Sequence, residues 1–278
     1  MWCNLSVLSK YNNFLCIFNF KRTGEDFPVY LLKASEDIFK HFGYSINKIH
    51  YATEKNNWSP TYERFRVLLC QNNYEYYSVN FYSGKKYSLD SDFFIDIMNY
   101  TMFGFSPQCK DLFSVAIVIK EQHLIDNIIG TYIDIVNIFT RYRIATLSGF
   151  AYHFSKKYDD ACLASGILNG SQKYSYDMYN LTNWIDHSSF KSGTIGYLGV
   201  FTNLSDYQIR ILNDTFGTNN IYIVNNAVIY NFKNAILNYD CNMNKEDSFF
   251  ATSEFSELSR LFEHLLSYEK LLSENPIT

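Results

Sequence analysis

The sequence predicts an α+β fold with an antiparallel sheet, and three features carry that expectation. Leu112–Ile119 is a β-branched apolar run of strand length. After it, Ile125, Ile128, Ile129, Tyr132, Val136 and Phe139 fall on one helical face. Thr194–Phe201 then reads as another strand, followed by Ser205-Asp206-Tyr207-Gln208 in the form of a capping box.

Taken in order, the second half of the chain holds two β-α-β runs. Arg141 and Arg143 close the first helix, where cations suit the negative end of its dipole. Ile144–His153 follows as a strand. After an insertion over 155–192, the second run places Leu204 and Ile209 as a hydrophobic staple around the Ser205 cap, and Gly217 at the helix end. Ile221–Tyr230 reads as one strand or a tight hairpin through Asn225-Asn226, since Asn tolerates positive φ. The order over 112–232 is ferredoxin-like, with two right-handed crossovers placing both helices on one face of the sheet.

The first hundred residues read as a related unit, so that 1–108 and 109–278 form a tandem sharing a sheet. Phe14–Phe20 is expected as a strand and Pro28–Phe42 as a helix with Pro in its first turn. Lys48–Thr53 and Arg64–Cys70 are expected as strands, the latter turning through Gln71-Asn72-Asn73 into Tyr74–Tyr82. Asp90–Phe103 reads as a helix capped by Asp90, with Phe93, Phe94, Ile97 and Met98 inward and Gly104 at its end. A last amphipathic helix is expected over 253–272, its stripe formed by Phe255, Leu258, Leu261, Phe262, Leu265 and Leu266.

Composition narrows the function classes. Apolar residues are 47% and charged residues 19%, a globular balance. The formal net charge is −4, which argues against nucleic-acid binding through a basic face. Apolar stretches are interrupted well short of the roughly 20 residues a membrane helix needs. Met1–Arg22 lacks a basic start and a small-residue cleavage site, so a cytoplasmic location is expected, with no membrane partner. The six cysteines are scattered and without C-x-x-C spacing, which suits buried thiols rather than disulfides or zinc.

Catalytic signatures are absent from the sequence: no Walker A loop, H-E-x-x-H helix, G-x-S-x-G elbow or G-x-G-x-x-G turn occurs. No catalytic residue, cofactor or metal is therefore assigned. Asp186-His187-Ser188 has the residue types of a triad, yet adjacent residues rarely converge on one centre. It stands as the enzymatic alternative, with His153, Asp159 and Asp160 as a chance-level metal set. The insertion is better suited to contact. Tyr158, Asp159, Asp160, Tyr174, Tyr176, Asp177, Tyr179, Trp184 and Asp186 lie there among Ser, Gly and Asn. Tyr and Trp offer contact area at low entropy cost, and the aspartates suit a partner with a basic face. A solvated loop with its tyrosines folded onto the sheet is the plainer reading. Tyr74, Tyr76 and Tyr82 are a second possible surface, for which core packing serves equally. The third class is a structural protein assembling through the 253–272 helix.

From Ile125 onward the chain resembles bacterial polymorphic-toxin immunity proteins of the immunity protein 52 group. The likeness lies in Ile125–His153, Gly196-Tyr197-Leu198, the capped helix from Ser205, and Asn226–Tyr230. Where a glycine would lead into that last strand, this chain has Asn225-Asn226. The resemblance implies a cytoplasmic protein that binds a cognate toxin and blocks it without catalysis of its own.

Overall fold

The computed structural model describes residues 13–53, 55–76, 78–85, 91–99, 112–144, 146–154, 198–202 and 204–231. Ten strands and five α-helices are formed among them. In chain order these are β1 (Asn13–Lys21), α1 (Phe27–His41), β2 (Lys48–Ala52), β3 (Asn57–Trp58), α2 (Tyr62–Gln71), β4 (Ser78–Tyr82), β5 (Phe93–Asn99), β6 (Leu112–Ile119), α3 (Gln122–Asp126), α4 (Ile128–Arg141), β7 (Thr146–Phe154), β8 (Leu198–Thr202), α5 (Asp206–Phe216), β9 (Ile221–Val224) and β10 (Ala227–Asn231). The strands make one open sheet in the order β3-β2-β4-β5-β6-β1-β7-β8-β10-β9, antiparallel at every pairing. The α+β class and the antiparallel sheet are as the sequence predicts.

The β-α-β order over 112–232 is present, and each run is split by one strand. β1, from the N-terminal segment, sits between β6 and β7, with Cys16 opposite both Ile117 and Ala151. β10 sits between β8 and β9, with Ile229 opposite Val200 and Tyr222. The segments 1–108 and 109–278 are thus joined by two ladders along β1 and a third between β5 and β6.

Chain direction then sets where the helices lie. β6 and β8 run in opposite senses while both crossovers step the same way along the sheet, so right-handed connections put α4 and α5 on opposite faces. Side chains record this. A Cβ on Gly149 would meet Val200 and the Tyr132 hydroxyl of α4, whereas one on the neighbouring strand's Gly199 would meet the Tyr230 ring. Phe216 of α5 stacks on that Tyr230 ring at 5.4 Å. The expectation of both helices on one face is corrected accordingly, because it left out the reversed direction of β8. Gly199 is needed here because the Tyr230 ring lies where any larger side chain would go.

The core between α1, α2, α4 and the sheet is largely aromatic. Phe39 packs edge-on against Phe81 and Phe93, Phe65 against Phe81 and Tyr51, and Phe18 lies on Tyr132 and Phe139. Edge-to-face and offset rings of this kind add about 0.5–1.5 kcal/mol per pair beyond their buried area. The high Phe and Tyr content therefore has a structural use.

Two segments differ from their expected type. Residues 62–71 form a helix rather than a strand. Thr61 caps it, accepting from the Arg64 amide at 3.4 Å, and Phe65, Leu68 and Leu69 turn inward at helical spacing. Conversely, Phe93–Asn99 is a central strand within the stretch expected as the 90–103 helix. Tyr76 and Tyr82 are buried, which settles them as packing residues rather than a surface stripe, and Tyr74 is partly buried against the core.

Other local readings stand. The Ser205 capping box is complete: the Gln208 amide donates to Ser205 Oγ at 3.3 Å, and the Ser205 amide donates to Gln208 Oε1 at 2.8 Å. Gly217 ends α5 at φ 83, and Asn225 holds φ 54 in the two-residue turn between β9 and β10. Gln208 itself is 2% exposed, while its partner Ser205 is exposed, so the box is half-buried. Ser205→Ala is expected to cost about 1 kcal/mol, read as a lower denaturation midpoint, while Ser205→Asp should retain most of it.

Candidate functional site

Sheet pairing brings one set of strand ends together. Asn13 lies opposite Phe154, Phe14 opposite Ile119, and Leu198 opposite Ala151 and Asn231. The segments 1–12, 155–197 and 232–278 therefore all join the sheet at the same end. Phe93 opposite Ile119, and Tyr82 opposite Lys48 and Phe94, extend that end to the β4–β5 hairpin.

The described part of this end is braced by short polar contacts. Asn47 Nδ2 donates to the Ser83 carbonyl at 2.5 Å, the Phe93 amide to Ser83 Oγ at 3.1 Å, and the Gly84 amide to Ser91 Oγ at 2.9 Å. The Lys120 amide reaches the Asp92 carbonyl at 2.7 Å, and its ammonium lies 5.8 Å from the Phe94 ring centre. Tyr44 stacks on Phe93 at 5.0 Å. Burial, then the nearby charges of Glu121 and Asp92, push its phenol ionisation well up. The rim carries Lys48, Lys85, Asp92, Lys120 and Glu121, charges of both signs.

Every insertion residue expected to meet a partner (Tyr158, Asp159, Asp160, Tyr174, Tyr176, Asp177, Tyr179, Trp184 and Asp186) lies outside the described residues. So do His187, the 253–272 helix, and Gly196-Tyr197 of the quoted resemblance. What the fold supplies for the insertion is its anchorage, since it leaves β7 and enters β8 on adjacent antiparallel strands.

One polar feature escaped the sequence reading. Asp96 of β5 is 2% exposed and accepts from Asn80 Nδ2 of the paired strand at 2.5 Å. Desolvation raises its carboxyl to about 8, only partly offset by the Asn80 bond. The signal was a lone acid inside Phe93-Phe94-Ile95-Asp96-Ile97, a position that a both-faces-buried strand exposes to neither water nor cation. Two other carboxylates of note pair between α1 and the α4 region. Tyr142 Oη donates to Asp37 at 2.5 Å and holds that carboxyl below its usual range, and His41 Nε2 lies 3.1 Å from Asp134 Oδ2.

Among the described residues no three His, Cys, Asp or Glu are grouped to hold a metal ion. The buried Cys16 thiol is pushed well up by desolvation, away from the thiolate a nucleophile needs. No helix among the described residues is long and apolar enough to cross a membrane.

No family model matches the chain, and no curated protein matches it. Solved structures do. The chain is similar to the Pseudomonas aeruginosa T6SS protein PA0821 at 10% identity and a TM-score of 0.53, covering 95% of this chain and 88% of that one. At this identity the likeness is one of fold, and it extends over nearly the full length of both chains.

Proposed function

We propose that this protein is an immunity protein of a type VI secretion system, which binds a cognate toxin and neutralises it by occlusion. The observation that carries the reading is the near-full-length likeness to a T6SS protein, PA0821. It agrees with the resemblance to the immunity protein 52 group, which rests on separate sequence features. A Tyr- and Asp-rich insertion anchored on two adjacent paired strands suits stoichiometric binding, where a loop with both ends held has less freedom to lose on contact. The partner is a toxin with a basic face, met in the cytoplasm through Tyr158, Asp159, Asp160, Tyr174, Tyr176, Asp177, Tyr179, Trp184 and Asp186.

Capture of the tagged chain from its native cells tests this. Recovery of one protein at near-equal stoichiometry, arresting growth when expressed alone and tolerated when co-expressed with this chain, is the expected result. The Tyr176→Ala, Trp184→Ala, Asp186→Ala triple variant should lose that partner. Retention of nanomolar binding by the triple variant removes the insertion as the interface while leaving the neutralising role open to other surfaces.

A further inference from the structure

An antiparallel sheet can leave one face to water, and this one does not. Phe39 of α1 packs against Phe81 and Phe93, and Phe65 of α2 against Phe81, so both helices lie on the face those rings share. By strand alternation Asn80, Tyr82, Phe94 and Asp96 point the other way, as do Ser114, Ala116 and Val118 of β6. α5 shares that second face but packs over β9 and β10. Even so, Phe94 and Val118 are each 1% exposed, Asp96 2% and Ser114 3%. A bare sheet face cannot shield side chains from water to this degree, and a single chain achieves it here. The cover is therefore another segment of the same chain.

Charge selects among the segments outside the described residues. Lys48, opposite Tyr82, and Lys120, its ammonium 5.8 Å from the Phe94 ring centre, stand at the rim of this face. The one acid that β2, β4, β5 and β6 turn towards it is Asp96, which Asn80 already engages. Residues 240–278 hold eight Asp and Glu against three Lys and Arg. By contrast, 155–197 hold four of each sign, 100–111 one of each, and 1–12 a single lysine. Only the last segment of the chain is complementary to the rim. Its stripe of Phe255, Leu258, Leu261, Phe262, Leu265 and Leu266 has Glu254 and Glu269 at its two ends, with Glu257 and Glu263 along its flanks. A helix of about 20 residues is about 30 Å long, enough to cross four strands spaced at about 4.8 Å.

We propose that residues 253–272 dock as a helix on the second face of β4, β5 and β6. The apolar stripe covers Phe94, Ala116 and Val118, and the glutamates turn towards Lys48 and Lys120. The segment then completes the core and is not a free arm for assembly or for a partner.

Carbodiimide coupling of the full chain tests this, because it joins an amine only to a carboxylate in contact with it. The reaction is run until Lys40 has coupled to Asp37, its ion-pair partner at 3.4 Å, and the one-copy species is then mapped by mass spectrometry. The expected result is a link from Lys48 or Lys120 to Glu254, Glu257, Glu263 or Glu269. In parallel, Phe262→Asp should lower the urea denaturation midpoint, while Ser256→Asp, opposite the stripe, should leave it near that of the parent. Links from Lys48 and Lys120 only to acids outside 253–272, or no link from either, overturn the proposal. A Phe262→Asp chain that keeps the parent's midpoint overturns it equally, since an undocked helix would bear that charge without loss.

Discussion

Phe18→Ala is expected to destabilise the whole protein by about 3–5 kcal/mol, the usual cost of removing a fully buried phenylalanine. Phe18 is inaccessible to solvent, its ring 5.1 Å from that of Tyr132 and 5.3 Å from that of Phe139. It stands on β1, which pairs on both sides with strands of 109–278, with Val115 of β6 on one side and Gly149 of β7 on the other. The cavity would open between β1 and α4, where the packed aromatic rings cannot collapse without moving the helix. Because β1 belongs to both ladders, the loss should be felt on both sides of the boundary at 108. Denaturant titration followed by circular dichroism and by tryptophan fluorescence checks this, and the two probes should shift together as one transition. Separate transitions, with only one displaced by the substitution, would instead mark 1–108 and 109–278 as independently folding units.

The second large effect depends on pH. With its carboxyl raised to about 8 by burial, Asp96 keeps its proton in the native state after an unfolded chain has lost it near 4. Between those values the native state binds more protons, so stability falls as pH rises. The slope contributed by this one group approaches about 1.4 kcal/mol per pH unit in mid-window. The contribution is fully present below about pH 4 and lost once pH passes the native value. Asp96→Asn keeps the shape, and its amide oxygen can still accept from Asn80, but it has no charge to bury. The difference in denaturation midpoint between variant and parent should therefore grow in the variant's favour from pH 5 to pH 8.5. Parallel curves across that range would mean that Asp96 ionises normally and is not desolvated as its position in the sheet requires.

The sequence was legible where one face of an element meets water and the other does not. Helix α4, the α5 cap and its Ser205–Gln208 box, Gly217 and the Asn225 turn could all be read because each follows a local rule. Two segments were misread for a common reason. In Phe93–Asn99 both faces are buried, so alternation vanishes, and Phe93, Phe94, Ile97 and Met98 fit a helical stripe equally well. In 62–71 the short run Val67-Leu68-Leu69-Cys70 resembled a strand core, although the Thr61 cap and the Phe65, Leu68, Leu69 spacing were already helical. Strand order was less accessible still. That β1 separates β6 from β7, and that the reversed direction of β8 sends α5 to the other face, depends on pairings between residues far apart in the chain. The expected partner residues lie outside the described part of the fold, so only their anchorage on β7 and β8 enters the structural account. The Asp96–Asn80 pair was missed because a misassigned helix hid its cross-strand partner.

The central claim is occlusion without turnover, and titration of this chain into its purified cognate toxin tests it most directly. Toxin activity should fall linearly and vanish at one equivalent, and separation of the complex should return the toxin active and of unchanged mass. Neutralisation by a small fraction of an equivalent, or a toxin recovered with altered mass, would contradict the account and turn attention to Asp186 and His187 as a catalytic pair.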